Sequence, residues 1–379
     1  MTWRELRRFG HDPLEFIEAV SSRNPRGVFQ LPWGVWCVND ADLARMVLRS
    51  PDFNRGMSHF FTPGLPTRAA QIHLGQSVRE TLRARTPELR TALAEVVAGF
   101  PRDSHWPRAG IQLVYRAAAG LLLHPDTEPS LRRLLEQAVD GGLMVRAAHI
   151  RQRVRAETLR ARLKPALTEH VTQRRAAPCT GEPRDVLDAV LSACPAEVTH
   201  REAADLYMLL FRSIVGNVGY SVGWSVLLAG LRHTSASPWP WPADSVVREA
   251  ARHRPFVWMV GRTAPGPIDI GGVPLPSETN ISVCPYLLHH DGSWTSPGTF
   301  RPERWAEASG HGTYLPYSAG PFTCAGAGIA HTLTTEAVHA LADSARLAVS
   351  GADPRPIVTN AAIPRPFTLH RTVRTSTHP

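Results

Sequence analysis

Cys324 lies in the stretch Tyr317-Ser-Ala-Gly320-Pro321-Phe322-Thr323-Cys324-Ala325-Gly326. A Gly-Pro turn precedes the thiol. Gly326 then opens a helical pattern, Ile329-Ala-His-Thr-Leu333 on to Val338-His-Ala-Leu341. Glycines let backbone pass close to a flat, bulky ligand. A thiolate beside a helix N-terminus gains from the macrodipole and from free N–H groups. Both features suit a haem iron held by an axial cysteine, whose thiolate favours O–O cleavage. The plain alternative is an inert buried cysteine.

Glu249-Ala-Ala-Arg252 is the second chemical pattern. Positions i and i+3 share a helix face, so carboxylate and guanidinium can pair. Such pairs are common surface decoration worth little alone. Here Phe300-Arg-Pro302-Glu303-Arg304-Trp305 follows about fifty residues later, and the cysteine loop follows that.

The elements that must carry these groups are mostly helical. Apolar spacing predicts helices over 13–21, 40–50, 72–99, 109–123, 129–143 and 185–193, and through 199–231 and 245–254. A long arginine-rich helix over 148–174 is expected to kink or break at Pro165. Val28–Val38 alternates like a hairpin, and short strands with turn signals fill 256–286. The segment 234–242, with Pro238, Pro240 and Pro242, cannot be helical. A last helix runs to about 347, followed by a β-rich tail. The expected class is mainly α with a small β subdomain.

The chain has 379 residues, 43% of them hydrophobic, which is ample for a large core. It shows no repeat and no linker-like tract, so one domain over 1–379 is expected. The polar start, Met1-Thr-Trp-Arg-Glu-Leu-Arg-Arg, has no apolar run after it, which argues against secretion or an N-terminal anchor. The apolar stretch 206–231 contains Arg212 and Asn217 and reads as a buried central helix rather than a membrane span. Five scattered cysteines without a CxxC pair suggest neither disulfides nor zinc, and fit the cytoplasm. His289-His290-Asp291 lacks the helical spacing of a metal site. The net charge of +9 comes from arginine, since Lys164 is the only lysine. The arginines are dispersed and no nucleic-acid module is present, so no nucleic-acid partner is expected.

Taken in order, these motifs resemble the signatures of the cytochromes P450, with matches over 205–345. The cysteine signature has an aromatic residue at Tyr317, where Phe is usual, and glycines at Gly320 and Gly326. Phe322 replaces the usual basic residue. The resemblance implies the P450 fold, haem b, and Cys324 as the iron ligand. It implies a charge clamp of Glu249, Arg252 and Arg304, with Trp305 in the place of a Phe. Gly261-Arg262-Thr263 matches the strand after the clamp helix, where Arg262 would hold a haem propionate. His73 would bind a propionate from the helix crossing the haem. The usual Arg four residues later is Ser77, which leaves Arg79 and Arg83 as substitutes.

The central helix departs from the family pattern. Anchored on Gly216, the acid and alcohol that deliver protons to iron-bound dioxygen become Val218 and Gly219. Asn217 and Ser221 share a face and could position a water, or could simply pack, as could Tyr220. Gly219 would leave extra room for a bulky substrate. Substrate-facing segments would be 57–63, 141–144, 211–219 and 256–259. The resemblance implies a monooxygenase or oxidase that tailors a natural product, by hydroxylation or by cross-linking aromatic side chains of a peptide or carrier-bound substrate. A peroxide-driven peroxygenase and a non-catalytic auxiliary protein are the alternatives. A ferredoxin would supply electrons. The arginine run at 146, 151, 153, 155, 160 and 162 is either a solvated face or a dock for an acidic carrier.

Overall fold

The computed structural model describes residues 2–24, 26–54, 65, 67–142, 150–177, 181–234, 237–358 and 361–373. The chain divides into two compact units, each discontinuous in sequence. One comprises the described residues of Met1–Met57, Gly223–Ala327 and Ala345–Thr372. The other comprises those of Ser58–Val222, Gly328–Ser344 and Val373–Pro379. The sequence led us to expect one unit, because no linker composition marks the division.

The first unit is built on a four-stranded sheet, ordered Val28–Gln30, Trp36–Val38, Asn280–Val283, Val260–Thr263. The first two strands are the expected hairpin, with Phe29 opposite Cys37. Trp36–Val38 then pairs in parallel with Asn280–Val283, more than two hundred residues away. Alternation sends successive side chains to opposite faces. Val28, Val38, Ile281 and Val283 join Val47, Leu48 and Leu315 in one core cluster. Phe29 and Cys37 join Phe16, Trp258 and Tyr286 in another. Each fully buried Leu, Ile or Val contributes about 1.5–3 kcal/mol. These two clusters fix the frame of the cysteine loop. The polar N-terminus forms a short helix, Trp3–His11, with a Thr2–Glu5 capping box that the sequence reading missed.

The second unit is helical. Arg68–Ala84 packs on Val186–Ala193, Thr86–Ala98 on Arg108–Leu122, and His200–Arg212 on Ile150–Ala176. The expected helix over 72–99 is two, parted at Arg85, with Pro87 inside the first turn of the second. Ile150–Ala176 runs unbroken through Pro165, so of the kink or break expected there the break does not occur. Leu159, Leu163, Leu167 and Val171 form a buried i, i+4 stripe whose packing offsets the roughly 3 kcal/mol cost of an internal proline. Arg174 bridges Asp185 and Asp188, and Asp185 also caps Val186–Ala193. Among the described residues, one stretch, His200–Arg232, is long and apolar enough to cross a membrane, and 78% of its most apolar window is buried inside the protein.

The first unit also buries two imidazoles, His253 and His289, and half-buries a third, His290. His290 Nε2 lies 3.2 Å from His253 Nδ1, and His290 Nδ1 lies 2.9 Å from the Tyr286 carbonyl. Burial holds His289 and His290 down at about 3, and His253 well below its usual range. The folded state therefore refuses protons that the unfolded chain accepts near pH 6.5. Their stabilisation is complete above pH 6.5 and is lost as pH falls towards 3, at about 1.4 kcal/mol per pH unit per imidazole. Between pH 5 and 6, the urea-unfolding free energy should rise with pH, because unfolding takes up protons on these imidazoles. A flat profile there would contradict the buried, neutral assignment.

Candidate functional site

The cysteine loop begins where the chain leaves Leu315. Cys324 N–H donates to the Tyr317 carbonyl at 3.0 Å, and Ala327 N–H donates to the Cys324 carbonyl at 3.1 Å. Gly320–Phe322 makes a single 3-10 turn. Gly320 has φ +74°, and a Cβ there would lie 2.3 Å from the Leu48 carbonyl oxygen and 2.7 Å from Arg49 Cα. Glycine alone satisfies both constraints, so the loop rests directly on the end of the helix Ala41–Arg49. Gly326 is the N-cap of the helix Ala327–Ser344. Its N–H hydrogen-bonds the Cys324 sulfur and favours the thiolate, while the protein crowded round the sulfur pushes the thiol above its usual range. Cys324 nevertheless presents accessible surface, unlike the fully buried Cys37 and Cys284. Burial, and secondarily the neighbouring sulfur's charge, raise the Tyr317 phenol to about 12.

Glu249, Arg252 and Arg304 come together with no solvent exposure on any of them. Arg252 donates through Nε and Nη2 to the two Glu249 oxygens, at 3.1 and 2.8 Å. Arg304 Nε lies 3.0 Å from Glu249 Oε2. The carboxylate also accepts the Arg301 amide at 2.9 Å and the Trp305 indole N–H at 3.1 Å. The remaining guanidinium hydrogens go to carbonyls. Arg252 reaches His289 and Pro297, Arg304 reaches Thr295 and Ser296, and both reach Thr299. Trp294 lies under both cations, its ring centre 5.3 and 5.9 Å from their Cζ atoms. The sequence reading missed Trp294, and it treated Trp305 as a plain stand-in for Phe. The indole N–H is the signal that could have shown otherwise, because a buried carboxylate needs donors.

Arg262 projects from the strand Val260–Thr263 and is 4% exposed. Its Nη1 donates to the Gly261 carbonyl at 2.7 Å, while Nε is buried with no hydrogen-bond partner. Burial lowers this guanidinium to about 10. A buried cation with an unspent donor suits an anionic ligand group.

In the second unit, His73 is exposed on Arg68–Ala84, and Ser77 Oγ is spent on the Ala189 carbonyl at 3.1 Å. The central helix contains a π-helical turn, Ser213–Asn217, that the sequence did not announce. Such turns recur at functional sites. Asn217 is exposed there, while Ser221 Oγ donates to the Asn217 carbonyl at 2.9 Å. The Ser221 hydroxyl hydrogen is therefore committed to the helix, while its oxygen can still accept from a water. Gly219 does not open space for a substrate either. A Cβ there would lie 2.7 Å from Ile111 Cα, and one on Gly110 would lie 2.8 Å from the Gly219 carbonyl. The two glycines allow close helix–helix contact. Phe211, expected to face a ligand, is core, with Tyr115 and Tyr207 each 6.0 Å away. Trp258 is likewise core. The expected segments 57–63 and 143–144, and Arg146, lie outside the described residues. Arg151, Arg153, Arg155, Arg160 and Arg162 are exposed. Among the described residues, no group of three or more His, Cys, Asp or Glu could hold a metal ion.

Residues 243–365 match the family model described as Cytochrome P450. That segment holds the clamp, Arg262 and the cysteine loop. The solved structure of open P450 EryK from S. erythraea superposes with a TM-score of 0.71 at 20% identity, covering 96% of this chain and 97% of that one. This chain has the cytochrome P450 fold. P450BioI, solved in complex with an acyl carrier protein bearing hexadec-9Z-enoic acid, superposes at 0.73 with 14% identity, covering 96% and 99%. In sequence, the chain is 25% identical over 259 residues to cyclooctatin synthase of Streptomyces melanosporofaciens, covering 61% of this chain and 55% of the relative. The chain thus spans about half of that relative's length, and less of the insect P450s it also matches.

Within this P450 fold, Gly219→Ala should overpack the contact with Ile111 and cost about 1–3 kcal/mol. Thermal unfolding of the variant should show a midpoint several degrees lower. An unchanged midpoint would mean that position 219 faces open space after all.

Proposed function

We propose that the protein is a haem-thiolate oxidoreductase that tailors an organic natural product. The observation that carries this reading is the accessible Cys324 sulfur, bonded by the Gly326 N–H at a helix N-terminus. The donor set fits haem b: Cys324 would ligate the iron, and the unspent Nε of Arg262 would meet a propionate. Held by a cysteine thiolate, the haem supplies O–O cleavage chemistry. The clamp would keep the approach to Cys324 rigid, while Gly320, Phe322 and Gly326 shape the loop around the macrocycle. A ferredoxin-type protein would donate electrons.

Oxidative coupling is the reading favoured here, by resemblance to family members that cross-link aromatic side chains without the usual acid–alcohol pair. The places of the usual acid and alcohol are held by buried Val218 and by Gly219, which is packed on Ile111. Asn217 is exposed but carries a carboxamide, which is no proton donor of useful acidity. Coupling two aromatic side chains still consumes the protons that O–O cleavage requires, so these would arrive through water or from groups on the substrate. The exposed arginines of Ile150–Ala176 suit a substrate presented on an acidic carrier.

Two experiments test this. The reduced, carbon monoxide-treated protein should show the red-shifted Soret band of thiolate-bound iron, and Cys324→Ser should abolish that band while the fold persists by circular dichroism. A variant that keeps the band would remove Cys324 from the iron. Turnover under labelled dioxygen, with short aromatic peptides and their carrier-bound forms, should give a cross-linked product without labelled oxygen. A product heavier by one labelled atom would establish hydroxylation, and turnover with peroxide alone would establish the peroxygenase alternative.

A further inference from the structure

His289 is fully buried between the clamp and the cysteine loop. Its Nδ1 lies 3.1 Å from the Arg252 carbonyl oxygen, and the Leu315 backbone N–H donates to its Nε2 at 2.8 Å. A carbonyl can only accept and an amide can only donate, so the ring is neutral with its hydrogen on Nδ1. Burial supports that state by holding the imidazole at about 3. The attachment to Arg252 is reciprocal, because the Arg252 guanidinium donates to the His289 carbonyl at 2.6 Å. The ring is held between Tyr314 and Trp294, with centroids 5.5 and 6.5 Å away. Leu315, at the other end, starts the hydrogen-bond path to the thiol. Its carbonyl accepts the Ser318 N–H at 3.3 Å, and the Tyr317 carbonyl accepts the Cys324 N–H at 3.0 Å.

We infer that His289 is a positioning residue, whose imidazole ties the clamp helix to the first amide of the cysteine loop and so sets where Cys324 is held. This rests on the haem-thiolate reading. Among the described residues, the clamp residues make no hydrogen bond to Leu315; Arg252 and Arg304 fix carbonyls between 289 and 299. Only a side chain with a donor on one edge and an acceptor on the other spans from Arg252 to Leu315. Gln has that reach. Asn keeps the near donor but stops short of the Leu315 amide.

The test compares full-length, haem-loaded His289→Asn and His289→Gln with the wild type by two readouts. In His289→Asn the Leu315 amide should exchange hydrogen at least about tenfold faster, the loss of one buried hydrogen bond. Its reduced carbon monoxide spectrum should shift several-fold from the thiolate-type towards the thiol-type band. His289→Gln should stay within about twofold of wild type in both, since it restores the bridge. If His289→Asn matches wild type in both readouts, the inference fails. It fails too if exchange quickens with the spectrum unchanged, since the histidine would then be structural only. A wild type that shows no haem spectrum would instead overturn the haem-thiolate reading, and the exchange rates would still decide whether the bridge exists.

Discussion

The first unit depends on one carboxylate. Glu249 neutralises Arg252 and Arg304 where no water reaches any of the three. Burying two guanidiniums is tolerable only because every oxygen and nearly every N–H finds a partner. Removing one member of such a buried set typically costs about 3–5 kcal/mol, because a charge is left uncompensated. Burial even lowers the Arg304 guanidinium below its usual range, against the pull of Glu249. The set organises backbone rather than making direct chemistry. Its outer hydrogens hold carbonyls from His289 to Thr299, which is the run of irregular chain that leads towards the cysteine loop.

That loop is placed by backbone constraints more than by side chains. Gly320 touches the carbonyl of Leu48, and Leu48 belongs to the cluster that also contains Leu315. The same hydrophobic cluster therefore grips both ends of the turn before Cys324. The sulfur then meets an N–H from Gly326 at the start of a helix. Arg262 lies on the neighbouring strand as a buried cation with an unspent donor. A cysteine sulfur and a buried guanidinium are thus both supplied by the first unit.

The second unit shows a different economy. Gly110 and Gly219 are spent on bringing two helices into contact, and Ser213 and Ser221 hydroxyls bond carbonyls four residues back. Such bonds loosen a helix locally. They bracket the π turn at Ser213–Asn217, where Asn217 is exposed between buried Gly216 and Val218. The polar residues that looked available for proton delivery are therefore partly committed to holding the helix in this shape.

The sequence alone determined the helical class, the hairpin at Val28–Val38, the cysteine signature and the identity of the three clamp residues. The class, the hairpin, the Gly-Pro turn before Cys324 and the Glu249–Arg252 pair are written in local spacing, as a period of 3.6 or 2, a turn or an i, i+3 step; Arg304 as the third clamp member came only from the resemblance to the cytochromes P450. It also showed that Val218 and Gly219 stand where an acid and an alcohol are usual. The tertiary structure decided what those residues do. Whether Gly219 faces a ligand or Ile111 depends on the rotation of one helix against another, which no local pattern records. The Trp305 indole as a donor, Trp294 beneath two cations and the His289 bridge all join segments remote in sequence. Their partners are chosen by packing and by the need to satisfy buried polar groups, and those constraints exist only once the chain has folded.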